Sequence, residues 1–266
     1  MQKNISILLL IIHLLLITTG CNSVEYTNRK QLMLTPESLE ISKSNELWKK
    51  INKKNSKANI TDPKFIAVKR VGKNISTVTN HDYKWEFVLF KVDEPNAFCL
   101  PGGKVAVNTG IFNFIDNDAE LATIISHEIA HAIARHAGER NSYDILKNLG
   151  STIIGFVFDG LVGNLSSNAF GLGAEYGAIL PYERLHEYEA DQIGLILMSK
   201  AGYDPKYAIT FWNKFSQIDN TNNFAEFFST HPMSKKRLIE LKEMLPEANK
   251  VYNSAIHKHG AGEIIK

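Results

Sequence analysis

The 266-residue sequence predicts an α+β fold that is mostly helical, with a small β-sheet packed beside a central helix. Three observations predict it. Residues 119–134 contain neither Gly nor Pro and are rich in Ala and Ile, as expected of a buried helix. Two short segments, 65–71 and 85–92, are apolar or alternate in polarity and suit strands. After residue 180, long segments with helical spacing of their apolar residues follow one another, which implies more helix than sheet.

Composition restricts the class of protein. The formal net charge is +2, and no basic cluster alternates with aromatic residues, which argues against a nucleic-acid partner. The hydrophobic fraction of 44% is typical of globular proteins. No repeat of about 20–50 residues is visible, so a solenoid is not expected. The length suits one folded domain, predicted at residues 35–250, with a tether at 21–34 and a C-terminal tail at 251–266.

The first 20 residues are typical of a targeting signal and are kept out of the predicted fold. Their apolar stretch, residues 5–17, is shorter than the about 20 residues of a membrane-spanning helix. The sequence Thr-Thr-Gly-Cys that ends at Cys21 resembles a bacterial lipobox and predicts a lipoprotein signal peptide with a lipid anchor on Cys21. Simple secretion and an uncleaved anchor are the alternatives. Cys99 is then a small buried hydrophobe, and a Cys21–Cys99 disulfide would exclude the lipid.

The first predicted helix covers residues 35–54. Thr35 is its expected N-cap, Pro36 its first residue, and Glu37 supplies the negative charge that favours this end of a helix. The residues expected to face the core are Leu39, Leu47, Trp48 and Ile51. A loop at 55–63 leads to the strands predicted at 65–71 and 85–92.

Residues 96–110 predict a hairpin, because Pro-Gly-Gly at 101–103 joins two extended pieces. An edge strand beside an active site can pair with an extended peptide. The predicted substrate-binding strand therefore contains Asn96, Ala97, Phe98 and Gly103, and a purely structural hairpin is the alternative. A short helix or turn is expected at 111–115.

The 119–134 helix carries the pattern His-Glu-x-x-His at His127, Glu128 and His131. Residues four apart lie on one helix face, so both imidazoles can bind one metal ion. Zinc suits them, because its catalytic sites use three protein ligands of this kind plus water. Glu128 lies beside the first ligand, where it can take a proton from that water. A surface helix with two hydrogen-bonded histidines is the alternative. A broad apolar surface favours a buried helix and consists of Ile124, Ile125, Ile129, Ala132 and Ile133.

Residues 141–180 are rich in Gly and carry little charge, which indicates mobile, partly helical structure covering the site. A membrane-surface contact is the alternative for this segment. The next predicted helix covers 180–201 and ends at Gly202.

Two carboxylates on that helix, Glu187 and Asp191, are one turn apart. One can bind the metal while the other accepts the free N–H of a ligand histidine. The competing carboxylates, Glu183 and Glu189, are expected on a solvated or locally salt-bridged face. Further helices are predicted at 205–217 and 233–245, the second carrying Arg237.

Together, His127-Glu128-x-x-His131, Glu187-x-x-x-Asp191 and Thr-His-Pro at 230–232 followed by Arg237 resemble the HtpX, BepA and LoiP family of zinc metallopeptidases. These gluzincins are relatives of the CAAX prenyl protease. Residues 96–103 and 180–191 are most similar to the small periplasmic lipoprotein branch and its mitochondrial inner-membrane relative. The resemblance covers roughly residues 35–246. It implies a zincin-type metalloprotease domain.

The resemblance also implies roles for individual residues. His127, His131 and Glu187 match the ligands of one zinc ion per chain, and Glu128 matches the general base. Asp191 matches the Asp that supports a ligand histidine. Arg237 is expected to hold the Glu-Asp helix. His231 is expected either to occupy the fourth zinc position and gate activity, or to stabilise the tetrahedral intermediate.

The expected function is that of a zinc-dependent metalloendopeptidase that cleaves unfolded or misassembled envelope proteins in periplasmic quality control. A non-proteolytic or dual-role chaperone or assembly factor for outer-membrane proteins is one alternative, and a scaffold with a fortuitous motif is another. The expected partners are extended or unfolded protein substrates, a membrane reached through the lipid anchor, and the outer-membrane assembly machinery. The expected location is the bacterial cell envelope, with the chain lipid-anchored on the periplasmic face of the outer rather than the inner membrane.

Overall fold

A computed structural model describes residues 22–158, 180–217, 231 and 234–265. The predicted signal peptide, Cys21 and residues 159–179 of the glycine-rich segment lie outside these ranges. The strands are β1 Asn22–Ser23, β2 Lys30–Gln31, β3 Glu86–Phe90, β4 Ala97–Leu100 and β5 Lys104–Asn108. The helices are α1 Glu37–Lys54, α2 Pro63–Ser76, α3 Asp118–Ile133, α4 His136–Phe158, α5 Leu180–Lys200, α6 Lys206–Ser216 and α7 Lys235–Asn253, and a short 3₁₀ helix covers Thr109–Asn113. The mostly helical α+β prediction is confirmed.

The small sheet contains β3, β5 and β4 in that order. β3 pairs with β5 in parallel, whereas β4 pairs with β5 as an antiparallel hairpin, as the Pro-Gly-Gly turn predicts. Within the described residues β4 is therefore an outer strand of the sheet. It also packs against α3.

α3 is the central helix of the domain. Every residue from Asp118 to Ile133 is buried except His131. Asn117 caps the helix by accepting a hydrogen bond from the Glu120 amide. The helix packs against α2, α5, α6 and β4, so its polar residues must find partners inside the protein.

The strand predicted at 65–71 is wrong, because these residues belong to α2. Asp62 caps α2 by accepting from the Lys64 amide, and Pro63 takes the first helical position. The buried residues Val68, Val71 and Ile75 recur at helical spacing. A short apolar segment is compatible with a strand or with a helix, and here the N-cap before it identifies a helix.

The predicted inward face of α1 is partly wrong. Trp48 is buried, but Leu39 and Leu47 are 41% and 46% exposed. Glu40 and Ser44 are buried instead. Glu40 faces the interior because it binds Arg135, with Oε1 2.6 Å from Nη2.

The last helix is longer than the sequence predicts. α7 continues through Pro246 to Asn253, whereas the predicted end was residue 245. The residues after it pack against the start of α3, where the amides of Asp118 and Ala119 donate to the carbonyls of Glu263 and Ala261. Among the described residues, no helix has the length and the apolar character that are needed to cross a membrane.

Candidate metal centre

Four side chains converge in the interior: His127 and His131 of α3, Glu187 of α5, and His231. One donor atom from each lies within 4.8 Å of those of the others. The Nε2 atoms of His127 and His131 are 3.1 Å apart. Glu187 Oε2 lies 3.3 Å from His127 Nε2, and Glu187 Oε1 lies 3.2 Å from His131 Nε2. His231 Nδ1 lies 3.2 Å from Glu187 Oε1 and 3.3 Å from His127 Nε2.

Local structure explains this convergence. The two histidines are four residues apart on α3, which places them on one face. Glu187 reaches them because α5 packs closely along α3. The close approach is made at Gly194, where a Cβ atom would lie only 3.0 Å from the backbone nitrogen of His127. A glycine at this crossing therefore positions the two helices that carry the donors.

The residues present fit a zinc ion. Zinc prefers imidazole nitrogen and carboxylate oxygen in a tetrahedral arrangement of four ligands. The second nitrogen of each α3 imidazole faces a neighbouring side chain: His127 Nδ1 lies 3.1 Å from Asp191 Oδ1, and His131 Nδ1 lies 2.7 Å from His136 Nδ1. Both rings can therefore carry their proton on Nδ1 and present an unprotonated Nε2 to the same point. The predicted zinc cofactor agrees with this donor set.

Asp191 and Arg237 support the donor set from the side opposite the cleft. Arg237 is 2% exposed and binds Asp191 at two points, while its Nη1 lies 2.9 Å from Glu187 Oε2. Burial alone would raise the pKa of Asp191, but Arg237 holds that pKa below its ordinary value. The guanidinium carbon lies 4.8 Å from the ring centroid of Trp212. Asp191 therefore stays ionised, and its Oδ1 can accept a hydrogen bond from a protonated Nδ1 of His127.

Glu128 faces a cleft between α3 and β4. The cleft has a volume of about 360 Å³, and its wall includes Phe98, Cys99, Glu128, His131 and His231. Glu128 is 3% exposed, and its Oε1 lies 3.4 Å from His231 Nε2. Burial raises the pKa of this carboxyl, the direction that suits a general base working near neutral pH. Burial also raises the pKa of the Cys99 thiol, in keeping with the small hydrophobe that the sequence predicts.

The structure separates the residues predicted for the substrate strand. Phe98 lies in β4 and lines the cleft, and Ala97 is a buried residue of the same strand. The carbonyl of Asn96 accepts a bond from the Asn108 amide, so it faces inward. Gly103 was wrongly placed on this strand: it lies in the turn, with φ of +86°, and its carbonyl accepts from the Glu86 amide on the far side of the sheet.

A buried group beside the metal centre was not predicted. We call it the His–Glu cluster, and it consists of His136, Glu139, His186 and Glu189. His136 Nε2 lies 3.0 Å from Glu189 Oε2, and His186 Nε2 lies 3.0 Å from Glu139 Oε2. The two imidazoles stack with ring centroids 4.2 Å apart and planes 9° apart. The sequence does contain a pattern that could have indicated this cluster, since His-x-x-Glu occurs at 136–139 and again at 186–189.

The predicted surface position of Glu189 is therefore wrong. Glu189 is 4% exposed and binds Arg29, which is 160 positions away in the chain. Burial favours the neutral acid, but bonds from His136 and Arg29 outweigh it and lower the pKa of Glu189 to about 2. Burial lowers the pKa of His136 to about 4, so this imidazole is neutral. The side chain of Glu183 lies outside the described residues.

Comparison with known proteins identifies relatives. Residues 65–245 match peptidase family M48. The mitochondrial metalloendopeptidase OMA1 of Schizosaccharomyces pombe is 39% identical over 188 residues, which is 70% of this chain and 54% of that protein. The protein of the same name from Arabidopsis thaliana is 40% identical over 63% of this chain and 33% of its own length. The beta-barrel assembly-enhancing protease of Escherichia coli K12 is 30% identical over 59% of this chain and 34% of its own length. The chain thus spans about half the length of these relatives or less.

These comparisons overturn the predicted location. Lipid anchoring at a bacterial outer membrane is contradicted, because the relatives at 39% and 40% identity are mitochondrial metalloendopeptidases. The bacterial protease aligns at lower identity. The prediction depended on four residues at 18–21, and Thr18 stands where a lipobox usually has Leu.

Proposed function

The chain belongs to peptidase family M48, and we propose that it is a zinc-dependent metalloendopeptidase that cleaves extended segments of unfolded or misassembled proteins. The observation that carries this proposal is the position of Glu128. Its carboxylate is buried one residue from a zinc ligand and opens into the same cleft as His131. A general base beside a metal centre at the wall of a cleft is the arrangement that peptide hydrolysis requires.

Zinc, when bound, supplies Lewis acidity that polarises a carbonyl and lets water lose a proton near neutral pH. Glu128 takes that proton as the water oxygen attacks the carbonyl carbon of the scissile peptide. When the C–N bond breaks, Glu128 gives the proton to the leaving amine nitrogen. His231, whose Nε2 lies 3.4 Å from Glu128 Oε1, has two alternative roles: it either occupies a fourth metal position or stabilises the negative charge on the former carbonyl oxygen. The cleavage rate of His231→Ala distinguishes them.

The cleft also indicates which substrates fit. β4 forms one wall of the cleft and is an outer strand within the described part of the sheet. An outer strand binds a peptide by main-chain hydrogen bonds, which requires the peptide to be extended. Folded proteins rarely expose extended backbone, whereas unfolded and misassembled proteins do. This supports a role in protein quality control.

A dual role as a chaperone is favoured by one observation. His231 adds a fourth protein donor to the metal centre. Zinc sites with four protein ligands are closed, whereas catalytic sites keep one position open. A chain held in that state would bind extended proteins along β4 without cleaving them. Release of His231 would then convert binding into cleavage.

The decisive experiment compares the wild type with Glu128→Gln and Glu187→Ala. Wild type should bind about one zinc per chain and cleave a chemically unfolded model protein. Glu128→Gln should keep the zinc and lose cleavage by at least about 100-fold. Glu187→Ala should lose most of the zinc while keeping its circular-dichroism spectrum. Glu243→Gln, the same change on the exposed surface of α7, is the matched control and should behave as wild type.

Two results would contradict the proposal. Cleavage by Glu128→Gln at the wild-type rate would exclude Glu128 as the base. A zinc-loaded wild type and His231→Ala variant that both bind unfolded protein, and both leave it intact, would assign a chaperone function alone.

A further inference from the structure

Arg29 connects two buried carboxylates that come from different helices. Its Nη2 lies 2.7 Å from Glu139 Oε2 and 2.7 Å from Glu189 Oε2. Its Nη1 lies 2.9 Å from Glu139 Oε1, and its Nε lies 2.9 Å from Glu189 Oε2. Thr27 adds a hydrogen bond to Glu189. The segment that precedes the first helix is therefore bound to α4 and α5 through a planar guanidinium, which suits two carboxylates better than an ammonium would.

The contacts continue from Arg29 to the metal centre. Glu189 Oε2, which accepts from Arg29, lies 3.0 Å from His136 Nε2. His136 Nδ1 lies 2.7 Å from His131 Nδ1. His131 presents its Nε2 to the metal, so its proton is on Nδ1 and is donated to His136. His136 then carries its own proton on Nε2 and donates it to Glu189. The two hydrogen bonds of His136 therefore fix the tautomers of both imidazoles, and Arg29 fixes the position of the carboxylate that accepts from His136.

The other two residues of the His–Glu cluster, His186 and Glu139, fix the orientation of the His136 ring. The His186 imidazole stacks on His136 and lies 3.0 Å from Glu139 Oε2. Arg29 holds the Glu139 carboxylate by two bonds. The His136 ring therefore has one face covered and both nitrogens bonded. Its orientation depends on where Arg29 places the two carboxylates.

We propose that Arg29 is a positioning residue of the metal centre, which acts through Glu189 and His136 to hold the His131 imidazole in its metal-binding orientation. Docking of residues 24–34 then completes the metal site, and displacement of this segment weakens it. The inference rests on the zinc centre of the proposed function, but it concerns metal affinity rather than cleavage.

Contacts other than those of Arg29 also hold the segment in place. The Leu34 amide donates to Ser142 Oγ at 2.9 Å, and Val24 and Met33 are buried at 2% and 7% exposure. These contacts lie on both sides of Arg29 in the chain. Substitution of Arg29 therefore tests the orientation of the cluster rather than the attachment of the segment.

The test measures zinc affinity by competition with a chelator in four full-length proteins: wild type, Arg29→Gln, Arg29→Lys and Arg70→Gln. Arg70 is the matched control, since it also binds a buried carboxylate of the same central region, Asp118 at 2.8 Å, but far from the donor atoms. Arg29→Gln should weaken zinc binding by about 3- to 10-fold, less than the loss of a direct partner of a ligand. Arg29→Lys should show a smaller loss in the same direction. Arg70→Gln should lower thermal stability of the metal-free protein and leave zinc affinity within about twofold of wild type.

A double-mutant cycle with His136→Ala tests whether Arg29 acts on the metal centre through His136. His136→Ala alone should weaken zinc binding by about 10- to 100-fold. Arg29→Gln should add almost nothing in that background, because the connection is already broken. The visible spectrum of the Co²⁺-substituted protein should change in Arg29→Gln and not in Arg70→Gln, since it reports the ligand geometry directly.

The possible outcomes separate this inference from the proposed function. Equal zinc affinity in Arg29→Gln and Arg70→Gln, or additive losses in the cycle, would overturn the inference alone. Should Arg29→Gln fail to fold, an unchanged zinc affinity in Arg29→Lys together with an unchanged Co²⁺ spectrum would overturn it. Normal zinc binding without any cleavage would overturn the proposed function and leave the inference standing. A wild type that binds no zinc would overturn both.

Discussion

Arg237 and Asp191 form a buried ion pair with two contacts, in which Nε lies 2.6 Å from Oδ2 and Nη2 lies 2.8 Å from Oδ1. The pair joins α7 to α5 directly behind the metal centre. Asp191 also faces His127, and Arg237 also contacts Glu187, so each partner lies next to one of the four metal-donor candidates. A charge in this interior is stable only while its partner is present. The pair therefore couples the packing of two helices to the orientation of two ligands.

Asp191→Asn should weaken zinc binding by about 10- to 100-fold, because the amide cannot hold the His127 proton as the carboxylate does. The metal-free protein should also unfold more easily, by up to about 3 kcal/mol, since Arg237 loses one of its two carboxylates. Chelator competition and urea unfolding measure the two effects. Asp116→Asn, at a carboxylate that is 79% exposed, is the control and should change neither. Wild-type zinc affinity in Asp191→Asn would remove Asp191 from the support of His127.

The sequence predicted the part of the site that is local in the chain. His127, Glu128 and His131 occupy one turn of a helix whose cap and composition are visible in the sequence, and Glu187 and Asp191 are likewise one turn apart. Helical spacing fixes such pairs before any tertiary contact is known. His231 could be placed only through the resemblance, because 40 residues separate it from Asp191.

The parts that the sequence missed depend on contacts between distant residues. Glu189 is predicted on a solvated or locally salt-bridged face and Glu139 is not singled out, because Arg29 reaches them from 160 and 110 positions away in the chain. Glu40 is inward and Leu39 outward on α1 because Arg135 offers a partner inside. Periodicity reports which residues share a helix face, but an ion pair can decide which face is buried.

His231→Ala should raise the rate of cleavage. With His231 Nδ1 as a fourth donor, a bound metal ion would have four protein ligands and no open position. If His231 closes about nine sites in ten, its removal exposes about tenfold more activity. Steady-state cleavage of an unfolded protein and zinc content should be measured together, with the exposed His257→Ala as the control. A lower kcat at unchanged KM would instead assign His231 to stabilisation of the tetrahedral intermediate.

The acid stability of the fold should depend on Glu139. Burial opposes ionisation of Glu139, but bonds from His186 and Arg29 lower the pKa of its carboxyl to about 2. In the unfolded chain this pKa is about 4.3. The folded pKa is the lower one, so the carboxylate stabilises the fold above about pH 4.3 and this contribution is lost as pH falls towards 2.

The free energy of unfolding of the metal-free protein, measured between pH 5 and about pH 2, should therefore fall less steeply in Glu139→Gln than in wild type. The metal-free form is used so that protonation of the zinc ligands does not contribute through metal loss. Glu263→Gln, at a side chain that is 69% exposed, is the control and should keep the wild-type slope. Parallel slopes in Glu139→Gln and wild type would show that Glu139 is not ionised through its contacts with Arg29 and His186.

Gly194→Ala should weaken zinc binding without touching a ligand. A methyl group at this position would lie 3.0 Å from the nitrogen and 3.2 Å from the Cα atom of His127, which is tighter than most Cβ contacts, so the neighbouring backbone must shift by a few tenths of an ångström. α5 must therefore move away from α3, and this overpacking should lower the free energy of unfolding by about 1–3 kcal/mol. Because Glu187 lies on α5 and both histidines lie on α3, the same shift lengthens the distances between the donors. Gln192→Ala, on the exposed face of α5, is the control for a change in side chain on that helix. A Gly194→Ala protein that is less stable yet binds zinc as tightly as wild type would show that α3 and α5 accommodate the methyl group without changing the distances between the donor atoms.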